Sequence, residues 1–143
     1  MILREVDAAT LHLDEKAILD YMGIHDGTPD EMTRKMIGQM RNLLQSAARP
    51  KYCYRIVREI DFHYGKIIAD ALKDGDRFAV VVATAGEEID CLLHDLSNEN
   101  IAKAFVADTI ASELAEATLR EAILDIERHT ETGEKLSNPY SPG

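Results

Sequence analysis

From Ile101 to Arg128 the chain runs IAKAFVADTIASELAEATLREAILDIER, a helical period with neither proline nor glycine. At 1.5 Å per residue this is a helix of roughly 40 Å. Ala104, Ala107, Ala111, Ala115, Thr118 and Ala122 recur at helical spacing and form a stripe of small side chains along it. Such a stripe lets a neighbouring helix or sheet approach closely. From His129 onward the composition turns polar, and TETGEKLSNPYSPG reads as a loop or tail.

The segments before this helix alternate in character. ILREVD has the alternation of a short strand, and DEKAILDYMG reads as a short helix ending at Gly23. In TPDE, Thr28 takes the N-cap, Pro29 the first helical position, and Glu31 completes a capping box. The helix that follows carries Met32, Met36, Met40, Leu43 and Leu44 on its core side and ends before Pro50. KYCYRIVREIDFHY is rich in aromatic and β-branched residues and predicts one or two strands. Gly65 opens a helix closed by Gly75. RFAVVVATAG has the pattern of a buried strand, and Ile89, Leu92, Leu93 and Leu96 mark the face of another helix. SNEN interrupts that face and offers Ser97 or Asn98 as a cap for the long helix. The order predicts one α+β (mixed α/β) domain over residues 1–128, a small mixed sheet packed by several helices, followed by a C-terminal loop over residues 129–143.

Function is less legible. The net charge of -10 argues against a nucleic-acid backbone as partner and suits a cationic ligand or a basic protein. FAVVVATAG falls far short of the ~20 apolar residues that span a bilayer, and the N-terminus has no apolar core of a signal peptide. Cys53 and Cys91 are isolated, so the expectation is a reduced, cytoplasmic protein that does not meet a membrane. The five histidines show no ligand pair, which argues against a metal site. No phosphate-loop or nucleophile-elbow pattern occurs.

Three local features remain. VVVATAGEEID leads from a strand through glycine to a helix, where Glu87 and Glu88 favour the helix dipole and repel an anion. The plain reading is a structural turn; a small-molecule enzyme would need a pocket there. ARPKYCYRIVREI is locally basic, through Arg49, Lys51, Arg55 and Arg58. It suits a carboxylate or an acidic partner, while period-2 alternation assigns these charges to solvent. Glu116 lies beside the small stripe, where a carboxylate suits an amine or a ribose hydroxyl, or is simply an exposed helix charge.

Taken together, three segments resemble the activation domain family of cobalamin-dependent methionine synthase, particularly its small stand-alone members. They are RFAVVVATAGEEIDCLLHDLSNENIAKAFVADTIASELAEATLREA, the LAEA within it at 114–117, and the closing NPYSPG. LDEKAILDYMG and TPDEMTRKMI are more weakly similar. The resemblance implies a protein that binds S-adenosylmethionine and presents it to a cobalamin carried by a partner, either a corrinoid-binding protein or methionine synthase modules. A flavodoxin-like donor would supply the electron and the sulfonium the methyl group. The ligand carries that chemistry, so no catalytic residue is implied. The family's helix glutamate falls on Glu116, and its loop residues fall on Ser141, Pro142 and Gly143. A Pro-Gly pair favours a tight turn that exposes backbone groups at close range. Pro139 stands where the family has an arginine, and the family's tyrosine would follow Gly143. The resemblance therefore implies a truncated or shortened relative; the alternative is a docking module for a corrinoid-binding partner that does not use S-adenosylmethionine.

Overall fold

The structure, a computed structural model, describes residues 1–142. In chain order it contains β1 (Ile2–Glu5), a single 3-10 turn (Ala8–Thr10), α1 (Glu15–Tyr21), α2 (Glu31–Ala47), β2 (Lys51–Val57), α3 (Lys66–Leu72), β3 (Phe78–Thr84), α4 (Glu87–Glu99) and α5 (Ile101–Arg128). The three strands pair in chain order β1-β2-β3, and the domain is α+β. The sheet is small, as expected, but antiparallel throughout instead of mixed.

Helix α5 joins two cores. Its first half, through Ala107, Ile110 and Leu114, meets Ile18 and Leu19 of α1, Leu44 of α2 and Ile89 of α4. Its second half, through Ala122 and Ile126, packs on Tyr52 and Tyr54 of β2. The small-residue stripe thus serves both purposes, admitting helices at one end and the sheet at the other. The side chains of Thr109 and Thr118, though buried, donate to the carbonyls of Val106 and Leu114 (2.8 and 2.7 Å), so neither hydroxyl needs an outside partner.

The helix ends correct three readings. Asp30, not Thr28, caps α2, accepting from the N–H of Thr33 at 2.7 Å; a carboxylate makes a stronger, charge-assisted cap than a hydroxyl. Helix α4 continues through Ser97 and Asn98 to Glu99, and Asn100 caps α5, accepting from the N–H groups of Ala102 and Lys103, each at 3.1 Å. The methionines separate along α2: Met40 is buried, Met36 partly so, and Met32 is 78% exposed. A four-residue spacing drifts about 40° per step around a helix of 3.6 residues per turn, and the buried positions are Ile37, Met40 and Leu44 instead.

Strand β3 also differs from a buried strand. It lies at the sheet edge, with Val81 and Ala83 turned toward α5 and Val82 62% exposed. Helices cover one face of this sheet, so only alternate residues of β3 gain cover, as antiparallel sheets allow. Leu114→Ala should lower unfolding free energy by about 2–5 kcal/mol, whereas Leu124→Ala, at a 46% exposed position, should cost less than about 1 kcal/mol. Urea denaturation followed by circular dichroism measures both.

Candidate functional site

Helix α5 carries two buried carboxylates and one exposed candidate. The Glu113 side chain is 1% exposed; it accepts from the N–H of Asp14 at 2.9 Å and pairs with the Arg120 guanidinium. Arg120 also donates to the His12 carbonyl at 3.2 Å. Together these contacts clamp the segment leading into α1 against α5. Glu116, three residues further, is exposed. Ser141 and Pro142 are exposed in a C-terminal segment without regular structure, and Gly143 lies outside the described residues. Among the described residues no hydrogen bond or ion pair joins Glu116 to Ser141 or Pro142. Glu116, Ser141 and Pro142 thus stand as separate exposed positions without a polar contact among them.

Two clefts lie elsewhere. One, of about 330 Å³, sits where the C-terminal end of α5 meets the sheet, between Ile56, Phe78, Ile126, His129 and Leu136. Behind it Asp125, which is 7% exposed, accepts from the Tyr52 hydroxyl at 3.0 Å and faces Arg4 Nε at 3.6 Å. His129 Nδ1 donates to the Asp125 carbonyl at 2.8 Å and lies 3.3 Å from the Tyr54 hydroxyl. With its proton held on that nitrogen, a neutral His129 keeps a free acceptor at Nε2. Burial, then the Asp125 carboxylate, pushes the Tyr52 hydroxyl up to about 12, and the same causes raise Tyr54. Arg77, paired with Glu131 and Glu134 at 3.0 and 2.9 Å, fastens the segment after α5 to the start of β3.

The other cleft, of about 500 Å³, lies at the TAGEE turn between Glu5, Arg49, Lys51, Thr84, Gly86 and Glu88. It occupies the place that an enzyme using this turn would require. Gly86 has a φ of 103°, and a Cβ there would come within 3.1 Å of the Arg49 backbone nitrogen. Glycine is needed on both counts. The Thr84 hydroxyl accepts from the Gly86 N–H at 3.1 Å, and Glu87, Glu88 and Asp90 fill the first turn of α4 where its dipole favours them. Neither histidine nor cysteine lines this cleft.

Among the described residues no helix is long and apolar enough to cross a membrane, and no group of three His, Cys, Asp or Glu residues has the arrangement to hold a metal ion. Cys53 and Cys91 are both free thiols. Comparison with protein-family models and with curated protein sequences finds no match for the chain.

A zwitterionic amino-acid ligand needs a carboxylate or carbonyl for its ammonium and a cation for its carboxylate. Glu116 supplies the first. The nearest cation along the helix, Arg120, is already engaged by Glu113 and the His12 carbonyl, and Glu116 lines neither cleft.

The buried carboxylates were missed by sequence reasoning, yet Glu113 and Asp125 fall on the same face as Ile110, Leu114, Ala122 and Ile126, which is the signal that finds them. Arg120→Met, which removes the partner of a buried carboxylate, should lower stability by about 1–3 kcal/mol at neutral pH, measured by urea denaturation. Tyr52 supplies a second test. Its unfolded-state pKa is near 10, so above that pH the unfolded chain loses a proton that the folded protein retains. The Tyr52 contribution to stability should be level below about pH 10 and fall as pH rises toward 12; Tyr52→Phe should make the decline shallower in thermal melts across that range.

Proposed function

We propose that this chain is a stand-alone relative of the methionine synthase activation domain, a cytoplasmic S-adenosylmethionine-binding accessory protein that assists reductive methylation of a cobalamin held by a partner. Its sequence segments carry the resemblance, and the position of Glu116 supports it. Of the two glutamates within one turn of α5, Glu113 is consumed by internal bonds, while Glu116, the one that matches the family, is open to a ligand. Ser141 and Pro142 are equally open. The protein's part is to bind and orient; the corrinoid partner and a flavodoxin-like donor belong to the same proposal.

A second reading, a docking module that does not use S-adenosylmethionine, draws support from Pro139 and from the engagement of Arg120, the nearest cation along the helix from Glu116, by Glu113. Titration calorimetry separates the two. The first reading expects saturable heat with S-adenosylmethionine, weakened about tenfold by Glu116→Gln and strengthened by Pro139→Arg, in line with a charge-assisted contact of about 1.5–3 kcal/mol. No heat from either the natural chain or the Pro139→Arg variant sinks it. Binding of a cobalamin-loaded corrinoid protein at equal strength with and without S-adenosylmethionine would then establish the docking reading.

A further inference from the structure

Helices cover one face of the sheet, where Tyr52 and Tyr54 meet α5, and leave the other open. Residues opposite one another in register share a face, as do alternate residues along a strand. Leu3, Cys53 and Val82 are register partners across all three strands and so form one row on the open face. Leu3 is 64% exposed and Val82 62%, with Cys53 half-buried between them. Lys51 and Arg55 flank Cys53 along β2 on this same face, both exposed. Among the described residues neither enters an ion pair, although the protein has ten more acidic than basic side chains. Glu5 stands opposite Lys51 in register but does not pair with it.

We propose that this face docks an acidic partner protein, Lys51 and Arg55 receiving its carboxylates and the Leu3–Cys53–Val82 row an apolar side chain. The charge complementarity is local. Lys51 and Arg55 stand roughly 14 Å apart along β2 at the rise of an extended strand, and Glu5, beside Lys51, is the one carboxylate that the three strands place on this face, so the face carries a net positive charge on an otherwise acidic protein. Charges on other faces that lie beyond the Debye length of about 8 Å at physiological salt are largely screened from a partner seated here. An extended polyanion such as DNA or an anionic bilayer would meet the surrounding negative charge as well, and a second copy of the chain would bring a like-charged row to this one. The surface is separate from Glu116 and does not depend on S-adenosylmethionine binding.

The test uses a fluorescein-labelled amphipathic helical peptide of leucine and glutamate, its lysine counterpart, phosphatidylserine vesicles and duplex DNA. The glutamate peptide should bind the full chain, shift the backbone amide resonances of Leu3, Cys53 and Val82, and weaken as salt is raised. The Lys51→Glu/Arg55→Glu variant should bind it at least about tenfold more weakly and should take the lysine peptide instead. Both substituted positions are exposed, and circular dichroism checks that the variant folds. Absence of binding, equal binding of both peptides, resonance shifts confined to another surface, preference for vesicles or DNA, or self-association through this face in sedimentation would each overturn the proposal.

Discussion

A helix of 28 residues is not held straight and in place by its own hydrogen bonds; burial of one face does that work for α5. Ala107, Ile110, Leu114 and Ala122 are fully removed from water. Because many of the residues on that face are small, α1, α2 and α4 at one end and β2 and β3 at the other come close to the same helix. Neither core closes without it. The helical cluster and the tyrosine cluster are separate, and α5 is the element that runs through both.

Apolar contact along such a face resists separation more than sliding. The two buried carboxylates supply what it lacks. A shift of α5 by one turn, about 5.4 Å, would part Glu113 from the Asp14 N–H and Asp125 from the Tyr52 hydroxyl. Glu113 would keep Arg120, which travels on the same helix, but Asp125 would also leave Arg4 and become a buried charge parted from the sheet, a cost of several kcal/mol. Glu113 fixes the helix against the N-terminal segment and Asp125 fixes it against the sheet, so the register is set at both ends.

Much of this was legible in the sequence. The bounds of α5 follow from an uninterrupted period, and the strands from aromatic and β-branched alternation. What was not legible depends on partners distant in the chain. FAVVVAT has the composition of a strand buried on both faces, but composition cannot reveal that helices lie on one side alone. The helix caps went to Asp30 and Asn100 because several capping residues adjoin each helix start, and tertiary geometry selects among them. For the candidate site, the exposure of Glu116 is legible as that of a helix charge beside the small stripe. Its position relative to Ser141 and Pro142 is not, since nothing local in the sequence fixes where a polar tail of this kind lies. The two clefts gather residues from segments far apart in the chain, which no single stretch announces.

Strands β2 and β3 are antiparallel neighbours, a pairing that a two-residue turn can make, yet a stretch holding α3 separates them. That helix contributes no buried residue to either core. Closing roughly 20 residues instead of a tight turn costs about 2 kcal/mol more in chain entropy by the logarithmic law. This hairpin is therefore a poor nucleus. The sheet gains most by forming after α5 offers Ala122 and Ile126 as a surface for Tyr52, Tyr54, Val81 and Ala83. Assembly from helix to sheet is the less costly order in chain entropy, and the segment carrying α3 is one whose length can change at little cost to either core.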